Sequence, residues 1–375
     1  MQPTHVDSAP KTVQIQYPLT RRDVLILKGI GIFLIAFHNY FHWLPGMGIE
    51  NEFHFKASGF THYVEQAFSS IYGFIIASFA YFGHFGVQLF VLVSGYGLYA
   101  SARRQQATVP DQLIRRLIRI FTLLVIGATV VCVVRVLATG EPFNTGILLE
   151  IVIFRMTSIW NFSYDTLFKY SGPFWYFGLT VQLYLIYPLL DKLMRETSPG
   201  SDLVRLITVS ALNIVLQPLL GHHNVPLMGL FIGQLPTFMV GVLLAKHGPC
   251  IHPIGWLACI ALFVLGQFHS GFFVTTGVTA AWLMTAAYLQ LKKWSIPFTH
   301  RMVTAAAKLG SISMAIFVLN GPLRTLPLFR DEAGNLLADQ VLLFMTILVL
   351  ISIPLSLLHA KTSTALIALW LRYRH

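Results

Sequence analysis

Long apolar runs separated by short polar stretches dominate the chain. A membrane-spanning helix needs about 20 mostly apolar residues, and ten segments meet that requirement. The segments are 24–44, 84–102, 117–137, 173–191, 204–220, 227–245, 254–270, 272–290, 303–324 and 339–358. Runs such as FTLLVIGATVVCVV lack the alternation of a membrane β-strand. The pattern therefore predicts an all-α integral membrane protein, a bundle of about ten transmembrane helices.

Two further apolar stretches, 67–82 and 146–162, are predicted to be interfacial or re-entrant helices. The chain shows no internal repeat and no low-complexity tract, so a single transmembrane domain is predicted over residues 21–360. A polar tail, residues 1–20, precedes this domain, and a cytoplasmic tail, residues 361–375, follows it.

Basic residues lie mainly at alternate ends of the apolar segments. With the N-terminus inside, 20 of the 26 lysines and arginines fall on the inner side. Short cytoplasmic loops carry such an excess, so both termini are predicted to be cytoplasmic. The net charge of +11 is thereby explained by topology, which argues against nucleic acid as a partner.

Composition supports the same class of protein. Hydrophobic residues make up 55% of the chain and charged residues 11%, against about 25% charged residues in soluble domains. Too little polar surface remains to cover a soluble globule, so membrane lipids are the expected surroundings. The three cysteines form no CxxC pair and are interpreted as structural thiols.

The first apolar segment contains two histidines one helical turn apart, His38 and His42. Ionisable residues inside a span are functional candidates, and a neutral histidine can accept the proton of a hydroxyl nucleophile. Alternatively, the two side chains satisfy each other or a backbone carbonyl. No HExxH motif or nearby carboxylate completes a zinc ligand set, so no metal is expected.

Arginines cluster around the loop between the second and third segments, at Arg103, Arg104, Arg116 and Arg119. Arg116 and Arg119 share a helical face, and arginine forks bind phosphate through two parallel hydrogen bonds. The cluster therefore favours a site for the phosphates of a nucleotide-like donor. Ordinary positive-inside anchoring is the alternative interpretation.

Polar side chains also occur inside later segments. Trp175, Gln182 and Tyr184 lie in the fourth, and Asn320 lies in the ninth. They indicate a polar face toward a cavity within the bundle, or else interfacial aromatic residues with one glutamine that contributes to helix packing.

In ordered blocks over residues 20–360, the chain resembles membrane-bound acyltransferase family 3, which O-acylates glycans and lipopolysaccharide. The blocks are LKGIGIFLIAFHNYFHW, FGVQLFVLVSGYGLYASARR, IRRLIRIF, FWYFGLTVQLYLIYPLL, FMVGVLLAKH and KLGSISMAIFVLNGPL. The chain differs from the family pattern at four places. These are Lys28 for an arginine, Asn39 at the strict histidine position, Thr180-Val181 for two glutamates, and Asn320 for a histidine.

The resemblance implies an O-acyltransferase of the bacterial inner membrane. Acyl-CoA, with acetyl-CoA expected first, would be the donor, and a carbohydrate or glycolipid hydroxyl the acceptor. His38 or His42 would be catalytic, and the cluster Arg103, Arg104, Arg116 and Arg119 would bind the donor. The implied substrate-binding residues are Lys28, Asn39, Trp175, Gln182, Tyr184 and Asn320.

Two other functions remain open from the sequence. A transporter or flippase of a lipid-linked sugar would also need polar residues in its spans, although such proteins often contain internal repeats. A membrane anchor or scaffold would explain neither His38 nor the arginine spacing.

Overall fold

The computed structural model describes residues 18–104, 108–249, 252–293 and 297–373, except for the side chains of Arg104 and residues 297–299. These residues form fifteen α-helices and no strand, with one isolated bridge between Arg330 and Leu336. The helices are α1 (Arg21–Phe41), α2 (Gly59–Ala67), α3 (Ile71–Phe82), α4 (Gly86–Arg104), α5 (Val109–Thr139), α6 (Thr145–Met156), α7 (Tyr164–Leu167), α8 (Trp175–Met194), α9 (Pro199–His222), α10 (Phe231–His247), α11 (Pro253–Phe268), α12 (Ser270–Phe273), α13 (Thr276–Lys293), α14 (Pro297–Leu323) and α15 (Val341–Tyr373).

Every predicted transmembrane segment overlaps a long helix, which confirms an all-α membrane protein. Six stretches of the described chain are long and apolar enough to cross a membrane. They are Arg21–Phe41, Ile71–Arg103, Val109–Thr139, Pro199–His222, His300–Leu323 and Ala338–Tyr373. The total of about ten spans and the cytoplasmic placement of both termini stay predictions.

The two ambiguous apolar stretches are also helical. Residues 71–82 form α3, which continues through a short 3-10 turn into α4 as one apolar stretch. Residues 145–156 form α6, followed by a 3-10 turn at Ile159–Phe162. At the other end of the chain, α15 runs unbroken to Tyr373, so the predicted tail continues the last helix.

Glycines allow the central helices to pack closely. Any Cβ on Gly310 of α14 would lie 1.8 Å from the carbonyl oxygen of Leu25 in α1. Gly241 of α10 lies equally close to α4, since its Cβ would be 1.9 Å from the oxygen of Leu92. Small residues let helix backbones approach in this way in membranes, and these contacts fix α1 against α14 and α4 against α10.

Buried carboxylates tie together one end of the bundle, here called the basic end. Asp23 accepts a hydrogen bond from Lys292 at 2.8 Å, and Asp202 accepts one from Lys246 at 2.6 Å. Asp191 pairs with Arg103 at 3.0 Å. The opposite end carries the loop between α1 and α2, together with α6 and α7.

Candidate active site

A polar cavity of about 320 Å³ lies at the end of the bundle opposite the basic end. Its lining combines five aromatic side chains, four histidines, two glutamates, a lysine and an arginine with a few other residues. The lining residues are Ile35, His38, Asn39, His42, Trp43, Glu50, Glu52, Phe53, His54, Lys56, His84, Val87, Phe168, Gly172, Pro173, Trp175, Phe317 and Arg324.

A second cavity, of about 340 Å³, lies between α9, α10 and α13. Its walls are almost wholly apolar, with Leu203, Leu243 and Trp282 among them. A site for proton transfer needs convergent polar groups, so the polar cavity is the better candidate although it is slightly smaller.

The last turn of α1 places His38, Asn39 and His42 on the cavity wall. His38 is only 4% exposed, and its ring centroid lies 5.3 Å from that of His42. The Nδ1 atom of His38 lies 3.0 Å from the carbonyl oxygen of Ala80. A carbonyl only accepts hydrogen bonds, so Nδ1 must carry the proton. In the neutral ring, Nε2 is therefore the basic nitrogen.

The loop after α1 brings two carboxylates to these histidines. Glu50 Oε1 lies 2.8 Å from His42 Nδ1, and Glu52 Oε2 lies 3.9 Å from His38 Nε2. Burial by itself would raise the pKa of Glu50, but the adjacent His42 brings it down to about 2. Burial and the neighbouring charge of Glu50 raise the pKa of Glu52 to about 8. The two carboxyl groups therefore differ in charge at neutral pH.

The expectation that no carboxylate lies near the two histidines is wrong. Nitrogen and oxygen atoms of His38, His42 and Glu50 lie within 4.8 Å of one another. Glu50 is eight residues beyond His42 and reaches it because the loop folds back over the end of α1. The absence of a metal stays a prediction.

The cavity lining also includes Arg324, which directly follows α14. Its side chain is 5% exposed, donates from Nη1 to the carbonyl oxygen of Asn39, and lies 4.9 Å from the ring centroid of Trp43. No carboxylate of the described residues lies within ion-pair distance of this guanidinium.

Three cations gather deeper in the bundle, toward the basic end. Arg116 and Arg119 lie close enough to Lys28 for their positive charges to repel its ammonium group. The guanidinium of Arg116 lies 5.7 Å from the ring centroid of Tyr184. Within the described chain, none of the three cations forms an ion pair. Lys28 precedes His38 by ten residues on α1, which corresponds to about 15 Å along the axis.

The other two arginines that were predicted to bind the acyl donor are Arg103 and Arg104. Arg103 pairs with the buried Asp191, which also holds Arg195 at 2.9 Å. The side chain of Arg104 lies outside the described residues. The structure thus gathers Arg116 and Arg119 with Lys28, while Arg103 has a carboxylate partner of its own.

The predicted polar residues of the later helices are divided between several places. Trp175 lines the cavity, whereas Gln182 accepts a hydrogen bond from the backbone of Phe231 at 2.9 Å. Asn320 is fully buried, and neither atom of its amide has a hydrogen-bond partner among the described residues. It shares a face of α14 with Phe317 and Arg324, which both line the cavity.

Sequence reasoning missed Glu50, Glu52 and His84 as cavity residues. The chain has only 15 acidic residues, so two of them within three positions after the first span were an available signal. His84 gave no such signal, because its ring reaches to 5.6 Å from that of His38 only through the packing of α1 beside the turn before α4.

A family model described as an acyltransferase domain, that of acyltransferase family 3, matches residues 23–361. No curated protein matches the chain, and no solved structure matches it. The matched range contains both the polar cavity and the cluster of Lys28, Arg116 and Arg119.

Proposed function

Because the chain belongs to acyltransferase family 3, it is a membrane acyltransferase, and we propose that it acylates a sugar hydroxyl with acyl-CoA as donor. The expected donor is cytoplasmic acetyl-CoA, and the expected acceptor is a surface glycan or glycolipid. The proposed location is the bacterial inner membrane, with the basic end cytoplasmic, as the positive-inside rule requires.

The position of His38 is the observation that carries the proposal. Its Nδ1 is bonded to Ala80, and its Nε2 is turned toward Glu52 on the cavity wall. An acceptor hydroxyl bound there would give its proton to Nε2 as its oxygen attacks the thioester carbon. The carbon–sulfur bond then breaks, and the proton passes from His38 to the departing CoA thiolate. General-base assistance of this kind accelerates a reaction about 10²–10⁴-fold.

Lys28, Arg116 and Arg119 are the proposed site for the phosphates of the donor. Three cations without ion-pair partners repel one another, and an anionic ligand removes that repulsion. Arginine also keeps its charge at every physiological pH. The distance of about 15 Å along α1 to His38 suits a donor whose thioester is carried on a long flexible arm.

The aromatic walls of the cavity suit a sugar ring. Trp43, Phe53, Phe168 and Trp175 offer flat apolar faces to its C–H groups, while the histidines and carboxyl groups can bond its hydroxyls. Ligand sites typically combine such walls with a few placed polar groups. Membership of an acyltransferase family favours this enzyme over the transporter that the sequence left open.

The donor site can be tested by thiol release from acetyl-CoA with purified protein in detergent. Arg116→Ala removes a charge-assisted contact of about 1.5–3 kcal/mol, so we expect KM for acetyl-CoA to rise roughly 10-fold or more. Arg301→Ala is the matched control, because Arg301 is an exposed arginine near the start of α14 at the same end.

Equal kinetics for Arg116→Ala and the wild type would show that this cluster does not bind the phosphates of the donor. If no short acyl-CoA were bound or turned over by well-folded protein, the donor class would be wrong. A lipid-linked sugar carrier would then become the better hypothesis.

A further inference from the structure

Arg324 is a buried cation in the wall of the polar cavity, and no carboxylate of the described residues pairs with it. It is 5% exposed, and its one hydrogen bond within the described chain is donated by Nη1 to the oxygen of Asn39. A guanidinium has five N–H donors, so the others have no acceptor in the described protein. A buried charge is costly unless it is paired.

The two carboxyl groups of the cavity do not supply the missing partner. Glu50 is engaged with His42, and Glu52 faces His38. Neither lies within 4.0 Å of Arg324. Burial also raises the pKa of Glu52 to about 8, so that group is mostly uncharged at neutral pH. Lys56 at the rim adds a second cation, and the cavity walls carry a net positive charge.

The neighbours of Arg324 hold its fork in place. The indole of Trp43 lies 4.9 Å from the guanidinium carbon, and a Cβ on Gly172 would lie 3.6 Å from Nη2. Stacking on an aromatic face and a fixed backbone bond favour arginine over lysine. Because Gly172 lacks a side chain, the space beside Nη2 stays open to the cavity.

We propose that Arg324 forms a carboxylate subsite, so that one substrate of the cavity carries an anionic group held by this fork while the reacting hydroxyl lies at His38. The carboxylate belongs either to the acceptor sugar, as in a hexuronic acid, or to the acyl group, as in a dicarboxylic acyl chain. This inference rests on the proposed function for the identity of the two substrates, but the binding of a carboxylate can be measured without turnover.

Equilibrium binding of D-glucuronate and D-glucose to the purified protein tests whether the carboxylate belongs to the acceptor sugar. A bond between charged groups contributes about 1.5–3 kcal/mol, so we expect the wild type to bind glucuronate ~10-fold or more tightly than glucose. Arg324→Gln should abolish that preference, and Arg324→Lys should keep part of it. Arg135→Gln, at an exposed ion pair on the same end of the bundle, is the control.

Rates of thiol release from succinyl-CoA and from acetyl-CoA test whether the carboxylate belongs to the acyl group of the donor. A preference for succinyl-CoA that Arg324→Gln abolishes would place the carboxylate on the acyl group. Loss of either preference in a variant with an unchanged melting temperature supports the subsite. Arg324→Lys, which keeps the charge, supplies the folded comparison if Arg324→Gln is unstable.

The subsite is overturned if neither carboxylate probe is preferred over its neutral analogue by wild-type protein. It is also overturned if the preference survives in Arg324→Gln. Glucuronate binding that depends on Arg324, in a protein that turns over no acyl-CoA, would refute the proposed function but support the subsite. Turnover of acetyl-CoA without any carboxylate preference would support the proposed function but refute the subsite.

Discussion

At the scale of single residues, the cavity lining contains two groups of side chains with different chemistry. The first group is His38 and His42 with Glu50 and Glu52, and the second is Arg324 beside Asn39 and Trp43. The first group can move a proton, since it contains a neutral base next to a carboxyl group. The second group can orient a charged substrate but has no side chain that takes up a proton near neutral pH.

His38→Gln tests which histidine is the base. We expect kcat for acyl transfer to fall about 10²–10⁴-fold, with little change in KM for acetyl-CoA, because the proposed donor site is at Lys28 and Arg116. His42→Gln should lower kcat less, since His42 contacts Glu50 and not the Nε2 atom of His38. Steady-state kinetics of both variants, with exposed His222→Gln as control, make the comparison.

A well-folded His38→Gln protein with near-normal kcat would contradict this assignment. If His42→Gln were the inactive variant instead, the catalytic role would move to His42, as the sequence had left open. Thermal melts of the three variants show whether any loss reflects unfolding.

Glu52 should make stability depend on pH. Its folded-state pKa is about 8, above the value near 4.3 of an exposed glutamate. Between these values the folded protein binds more protons than the unfolded chain, so stability falls as pH rises. Glu50 and His38 lie next to this carboxyl group, and His42 and His84 line the same cavity.

Melting temperatures in detergent between pH 5 and pH 8 measure this effect. We expect the wild type to lose stability across the range and Glu52→Gln to lose less, because glutamine cannot ionise. Glu65→Gln is the control, since Glu65 is an exposed glutamate of α2 outside the cavity. Parallel pH profiles of wild type and Glu52→Gln would show that Glu52 is ionised throughout.

At the scale of helices, the position of α1 determines the site. α1 carries Lys28 toward one end and His38 toward the other, and it packs against α14, which carries Asn320 and leads to Arg324. The same pair of helices therefore positions both the histidines and Arg324 in the cavity lining. Close packing through Gly29 and Gly310 keeps these side chains at fixed separations.

Gly310→Ala should disrupt this pair of helices. Its new Cβ would lie 1.8 Å from the oxygen of Leu25, so the backbones must separate, at a typical cost of about 1–3 kcal/mol. We expect a lower melting temperature and reduced acyl transfer.

Gly255→Ala is the matched control for Gly310→Ala. Gly255 lies in α11 with nothing within 4 Å of a built Cβ, and alanine is favoured over glycine in a helix by about 1 kcal/mol. The melting temperature of Gly255→Ala should therefore stay the same or rise. Equal behaviour of the two variants would mean that α1 and α14 can move apart freely.

At the scale of the whole molecule, the cationic cluster and the polar cavity occupy different depths of one bundle. Arg116 and Arg119 lie toward the basic end with Lys28, whereas His38 opens into the cavity at the other end. Between them the interior contains Asn320, which is buried with no hydrogen-bond partner in the part of the chain that the structure describes. Such an arrangement suits a reaction whose two substrates arrive from opposite faces of a membrane.

The sequence alone determined the class of protein. Apolar runs of about 20 residues have few alternatives to helices in a bilayer, because every backbone polar group must be bonded within the segment. His38 was identifiable because an ionisable residue is rare in such a run. Arg116 and Arg119 were identifiable from their spacing on one helical face.

The set of residues that share the cavity follows from the folded arrangement of the helices and loops. Glu50 and Glu52 lie in a loop without helical periodicity, so nothing in their spacing indicates that the chain folds back onto His42 and His38. Arg324 contacts Trp43 and also Asn39, which is 285 positions away in the sequence, through the packing of α14 on α1. Periodicity describes neighbours within one helix, whereas contacts between distant helices depend on side-chain volumes and close glycine contacts along their whole length.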